Sequence, residues 1–174
     1  MFRYLMLMII LLSLAACHYS HPHPYIENPT PRNLTPGQKT LLAEISASGI
    51  QVIKQGMRFT FEIPNDTFFE EPTRELERDR EIDIDRLASF IRDYQRFFNN
   101  ITVTVTGHTD VVFNAPQRDK ISRHYAEIIA HYFREDGIPS DIIRVRGVGA
   151  KQQIGDDEYP MGSSFNRRVE VVIE

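Results

Sequence analysis

The residues from Ile101 to Ile128, ITVTVTGHTDVVFNAPQRDKISRHYAEI, constrain this chain more than any other stretch. Ile101, Val103 and Val105 alternate with Thr102, Thr104 and Thr106. That period of two in β-branched residues predicts a strand with one buried face. Gly107 ends the alternation, and a polar loop with His108, Thr109 and Asp110 follows. Pro116 then precedes a helical pattern over 117–136, in which Ile121, Tyr125, Ile128, Ile129, Tyr132 and Phe133 share one broad face and Gly137 is the stop. Strand, acidic loop and helix start therefore meet at one mouth, where unpaired backbone N–H groups and a carboxylate converge. A zwitterion suits such a mouth, its amine facing Asp110 and its carboxylate the helix start.

The flanking patterns supply the rest of a domain. Thr35-Pro36 opens a short helix with Leu41, Leu42 and Ile45 on one face, stopped near Gly49. Residues 50–54 and 57–63 read as a hairpin around Gln55-Gly56, its second arm turning Met57, Phe59, Phe61 and Ile63 toward a core. Pro64-Asn65-Asp66 breaks that strand, with Asp66 read as a turn former. Residues 71–85 mix charges of both signs and read as a solvated helix face or loop. From Asp85 onward Leu87, Phe90, Ile91, Tyr94, Phe97 and Phe98 fall at helical spacing, as a helix covering a sheet requires. After Gly137 come a turn and strand to Val148, a long loop over 149–165 with Gly155, Pro160 and Gly162, and a last strand over 167–173. From Met57 the order β-α-β-α-β-β predicts an α+β fold, a two-layer sandwich with helices on one side of a mixed sheet.

The amino end is of another kind. Residues 1–16 carry one cation, Arg3, then an apolar run from Leu5 to Leu12 and small residues, the pattern of a secretory signal. The run is too short for a conventional membrane span. Leu14-Ala15-Ala16-Cys17 resembles a bacterial lipobox, which implies that Cys17 is lipidated (palmitate among the acyl chains) and becomes the first mature residue. Cys17 is the sole cysteine, so no disulfide forms within the chain. His18 after it, rather than Asp, favours the outer membrane in lipoproteins of this kind. Residues 17–36 carry five prolines and read as a semi-rigid tether. Its His18, His21 and His23 read as a solvated tail rather than a metal site, lacking fixed geometry. Removing residues 1–16 takes away one cation and no acid, moving the net charge from −4 to −5, which disfavours nucleic acid as a partner.

The run Thr106-Gly107-His108-Thr109-Asp110, then Ile121-Ser122 and Ala126, then Gly147-Val148-Gly149, then Gly162 and Asn166-Arg167-Arg168-Val169-Glu170, resembles the OmpA-like peptidoglycan-binding domain over roughly 57–174. Residues 37–56 then form a short helix and strand preceding that domain. The resemblance implies the same two-layer fold and a ligand, the diaminopimelate-containing stem peptide of peptidoglycan. In the family the Asp of the HTD motif takes the amine, and an Arg of the second helix, just before an Ala, takes a carboxylate. Asp110, with Thr109 beside it, matches the first; Tyr125 stands where the Arg belongs, and Arg118 or Asp119 replaces the family's Asn. A tyrosine cannot make the bidentate contact of a guanidinium with carboxylate, a loss on the order of 1.5–3 kcal/mol. Two cations are candidates to compensate. Arg118 lies two helical turns before Tyr125 on the same face. Arg168 belongs to the NRRVE motif, although Arg167 and Arg168 alternate and only one can face the pocket. The loop after the first strand walls the pocket in the family, which brings Asp66 near it.

His108 next to Asp110 comes with no nucleophile or metal-ligand set, so the reading is non-enzymatic, with no cofactor. The expectation is an outer-membrane lipoprotein, held by lipid at Cys17, whose periplasmic domain binds peptidoglycan. The alternative is a protein-interaction subunit, because the FEIPNDTFFEE run after a brief tether is similar to the small OmpA-like lipoprotein of type IVB (Dot/Icm) secretion systems. Other secretion-system subunits would then be its partners.

Overall fold

The computed structural model describes residues 33–98, 100–112 and 114–174. The signal sequence, the lipidation residue Cys17, and His18, His21 and His23 lie outside the described residues. Helix α1 (Pro36–Ala47) starts at a capping box. Thr35 Oγ1 accepts from the Gln38 N–H at 3.2 Å, and the Gln38 side chain accepts from the Thr35 N–H at 3.0 Å. A hairpin of β1 (Gln51–Gln55) and β2 (Arg58–Pro64) follows, then a single turn α2 (Asn65–Phe68) and, after a short 3-10 turn, α3 (Glu81–Gln95). Strand β3 (Val103–Gly107), helix α4 (Ala115–Glu135), strand β4 (Ile143–Gly147), helix α5 (Pro160–Asn166) and strand β5 (Arg168–Ile173) complete the chain.

The five strands form one mixed sheet in the order β1-β2-β5-β3-β4. The last strand inserts between β2 and β3, antiparallel to both, and only β3 and β4 run parallel, joined through α4. One sheet face, carrying Phe59, Phe61, Ile63, Val103, Val105, Val169, Val171 and Ile173, packs on Ile84, Leu87, Phe90 and Ile91 of α3 and on Ala126, Ile129 and Phe133 of α4. Phe59 meets Phe90 edge-on at 5.0 Å, a geometry that adds about 0.5–1.5 kcal/mol to area burial. The other face presents Thr60, Glu62, Thr104, Arg144, Arg146 and Glu170. The two-layer α+β sandwich expected from periodicity is the one observed.

Local differences have local causes. The segment 37–56, which the sequence sets ahead of the domain, shares its sheet through β1 and its core through Ile45 and Ile50. Met57 sits at the hairpin turn, 47% exposed, outside the alternation that begins at Arg58. The charged run is not wholly solvated: α3 starts inside it at Glu81, and Asp83 is buried because Arg86 and Arg80 reach it at 2.7 and 3.5 Å. Phe97 lies past the end of α3 and is half-exposed. The expected loop over 149–165 contains α5, for which Pro160 supplies the first-turn residue.

Candidate functional site

Two glycines let α4 settle onto the sheet. A Cβ at Gly107 would meet the Ser122 carbonyl oxygen at 1.7 Å, and one at Gly147 the Arg123 backbone nitrogen at 2.4 Å. With nothing between strand and helix, the fully buried Ser122 accepts the Gly149 N–H through its Oγ at 3.0 Å. The Thr109 N–H donates to the Gly149 carbonyl, also at 3.0 Å. The acidic loop and the loop after β4 are thereby locked together at the start of α4. Asn114 caps that helix, its side chain accepting from the Gln117 N–H at 3.1 Å.

Asp110 projects from this platform and is only 3% exposed. Its Oδ1 accepts the Val112 N–H at 3.2 Å, and its Oδ2 accepts from Arg167 Nη1 at 2.6 Å. Arg167 also donates to both oxygens of Asp66, from Nε at 2.7 Å and Nη2 at 2.6 Å. Asp66 receives the Ser164 hydroxyl at 2.9 Å as well. Burial works to raise the Asp66 carboxyl, yet the Arg167 and Ser164 hydrogen bonds outweigh it and hold the group below its ordinary range. The hydrogen bond to Asp66, more than burial opposes it, raises Arg167. One guanidinium thus bridges two carboxylates and leaves one negative charge in excess, which favours an incoming ammonium.

Each residue singled out in the sequence has a definite place. Thr109 is buried beside Asp110, with Oγ1 unpartnered. Arg118 reaches the lip, donating from Nη1 to the Val111 carbonyl at 3.3 Å. Tyr125 turns elsewhere. Its hydroxyl donates to Glu71 at 3.0 Å and its ring meets Phe69 edge-on at 4.7 Å, so it fastens the 69–76 segment instead of lining the acid cluster. Burial first, then Glu71, pushes its phenol up to about 12. Arg168 does not complete a charge match with Asp110. It is 5% exposed on the sheet face away from the helices, Nε 3.6 Å from Glu62 and Nη2 donating to the Gln152 carbonyl at 3.4 Å. There it lines a cleft of about 180 Å³ with Glu62, Pro64, Ser164 and Phe165. Arg167 is the cation at Asp110, because it precedes β5 and so escapes the strand's alternation.

The sequence brings Asp66 near the pocket but reads it first as a turn former; its pairing with Arg167 is what that reading missed. The available signal was its place directly after the break in β2, at the strand end beside Arg167: the Asn65 N–H donates to the Arg167 carbonyl at 2.9 Å. Asn166 was also missed as an organiser. Fully buried, it accepts the Ile154 and Gly155 N–H groups at 2.8 and 2.9 Å and donates to the Gly155 carbonyl and Asp157, each at 2.8 Å. His108 is 1% exposed, and burial followed by the charge of Arg168 lowers it to about 4, so its ring is neutral at pH 7. Among the described residues no group of three or more His, Cys, Asp or Glu side chains is gathered as a metal would need.

Fold and cluster together define a mixed-sheet sandwich with an acid–guanidinium mouth at the β3–α4 junction. The family model that matches residues 68–167 is that of the OmpA family, and the chain belongs to it. Over 71 residues it is 38% identical to the outer-membrane lipoprotein YfiB of Pseudomonas aeruginosa, a match covering 41% of this chain and 42% of that protein. The chain thus spans under half the length of the curated relatives it matches first. Among solved structures it resembles the cell wall anchor of the type VI secretion system of Pseudomonas aeruginosa (TM-score 0.66, 22% identity, 78% of this chain and 94% of that one). It also resembles the peptidoglycan-associated lipoprotein of Burkholderia pseudomallei (TM-score 0.54, 12% identity, 65% and 89%). At those identities the likeness is one of fold.

Proposed function

We propose that this chain is an outer-membrane lipoprotein, held by lipid at Cys17, whose periplasmic OmpA-type domain binds peptidoglycan non-covalently and tethers the membrane or an envelope complex to the wall. The site is non-catalytic: it holds a zwitterionic stem-peptide residue, diaminopimelate, with the amine on Asp110 and a carboxylate on Arg167. Thr109 frames the mouth and Arg118 adds positive charge at its lip. The observation that carries this reading is the Asp110–Arg167 pair, buried on the acid side and half-open on the guanidinium side, 2.6 Å apart. Arg167, just ahead of β5, supplies the cation that Tyr125 withholds from α4. The names of the similar proteins, a cell wall anchor and a peptidoglycan-associated lipoprotein, agree with it. The test is co-sedimentation of the full chain, purified in detergent, with peptidoglycan sacculi. Wild type pellets, Asp110→Ala stays in solution, and Arg118→Ala pellets more weakly.

A second reading is a protein-interaction subunit of a type IVB (Dot/Icm) secretion apparatus with weak or no wall binding. It is favoured by Tyr125, committed to Glu71, and by the exposed Ile154, Tyr159, Met161 and Phe165 on the segment that Asn166 organises. Wild type remaining in the supernatant would select this reading.

A further inference from the structure

Arg167 spends three hydrogen bonds inside the protein, and two of them go to a residue outside the family motif. Asp66 takes Nε and Nη2 together, the side-on fork that is the strongest arrangement for a carboxylate. Asp110 takes the third, from Nη1. The two acids differ in setting: the Asp110 side chain is 5% exposed and that of Asp66 36%. A carboxylate arriving from solvent therefore meets Arg167 with its fork already filled by an acid that water can accept back at little cost.

Resting on the wall-binding reading, we propose that Asp66 is a specificity-determining residue of the mouth: it stands in for the ligand carboxylate at Arg167 and must be displaced by it. A ligand amine joins the Val112 N–H and Arg167 Nη1 at the Asp110 carboxylate, and the cluster's one excess negative charge favours it. A ligand carboxylate enters only by exchange, releasing Asp66 to solvent while Arg167 stays paired. The exchange favours ligands bearing both groups at once, since amine binding at Asp110 raises the effective concentration of the carboxylate beside Arg167. A ligand whose carboxylate is amidated has no charge with which to displace Asp66, and binds through its amine alone. Asp66 hangs from a single turn of helix, α2, so its departure need not disturb the sheet.

The experiment is isothermal titration of the full chain in detergent with a soluble muropeptide carrying free diaminopimelate, and with the same muropeptide amidated at the diaminopimelate carboxylate. Asp66→Asn is expected to raise the preference for the free over the amidated form about fivefold, the worth of one partly exposed ion pair, because the lost excess charge weakens the amine contact equally in both forms. Asp66→Glu, which keeps the competing charge, shows no such gain. Glu70→Gln removes a charge from the same segment without touching Arg167, and binds as wild type. An unchanged or smaller preference for the free form in Asp66→Asn, or an equal rise with Glu70→Gln, overturns the role of Asp66 while leaving wall binding intact. Absence of binding by wild type and Asp66→Asn alike, with Asp110→Asn indistinguishable from both, overturns the wall-binding reading and this inference together.

Discussion

Replacing Gly107 by alanine tests the packing on which the mouth depends. The added methyl carbon would lie 1.7 Å from the Ser122 carbonyl oxygen, 2.5 Å from its carbon and 3.1 Å from its Cα. Non-bonded heavy atoms rest at about 3.5 Å, so α4 must retreat by about 1.5–2 Å. All three atoms are backbone, and no rotamer change relieves the clash. Overpacking of this kind costs about 3 kcal/mol, which at about 3 °C per kcal/mol for a domain of this size lowers Tm by about 10 °C. The retreat also draws Ser122 Oγ from the Gly149 N–H, now at 3.0 Å, and loosens the loop that fixes Thr109. Circular dichroism melting and urea titration measure the effect. Gly37→Ala is the matched control: among the described residues no atom lies within 4 Å of its added methyl, and helix propensity alone should stabilise by about 0.5–1 kcal/mol. If Gly107→Ala melts within about 2 °C of wild type, the strand–helix contact does not govern stability and the argument fails.

Other variants test the neighbouring contacts. Tyr125→Phe keeps the ring against Phe69 and loses only the bond to Glu71, costing about 1 kcal/mol by urea titration. Tyr125→Arg restores the family residue but buries a guanidinium facing Glu71, so it should melt lower than Tyr125→Phe and gain nothing in sacculus binding. Because the folded state holds the Tyr125 phenol up at about 12 against an ordinary 10.0, its contribution is complete below pH 10 and lost as pH climbs through 12; the Phe variant lacks that part of the alkaline loss. His108 is lowered from 6.5 to about 4, so the fold favours the neutral ring: its contribution is complete above pH 6.5 and lost as pH falls toward 4. The urea midpoint of wild type should decline over that window, and His108→Gln should flatten the decline; parallel curves would refute the assignment. Arg167→Ala leaves Asp110 buried with the Val112 N–H as its remaining hydrogen bond among the described residues, and should cost about 2 kcal/mol and abolish sacculus binding.

The sheet and the two long helices were legible because their patterns are local. Phe59, Phe61 and Ile63 alternate, as do Val169, Val171 and Ile173, and each set faces the core. What escaped depends on where an element stops. Met57 and Phe97 fit the periodic series but fall just outside β2 and α3, so both are exposed. Helix α5 was hidden because a seven-residue helix with an internal glycine offers too little periodicity. The mouth was legible at Asp110 and Thr109, which the strand end delivers there. The cation was not. Alternation separates Arg167 from Arg168 without saying which face each takes, and the residue before a strand need not obey it; the φ of −81° and ψ of 86° at Arg167 lie outside the strand region. The exchange of Arg for Tyr125 was plain in the sequence, but its partner Glu71 lies 54 residues away, beyond any local pattern.

The most direct measurement of the central claim is an amide NMR titration of the ¹⁵N-labelled chain in detergent with the free-diaminopimelate muropeptide. Ligand seated on Asp110 and Arg167 should shift the amides of Thr109, Asp110, Val112, Gly149 and Arg167 in a saturable way, and Asp110→Asn should erase the response. Saturable shifts confined to Ile154, Tyr159, Met161 and Phe165, or no shifts at all, would contradict the account.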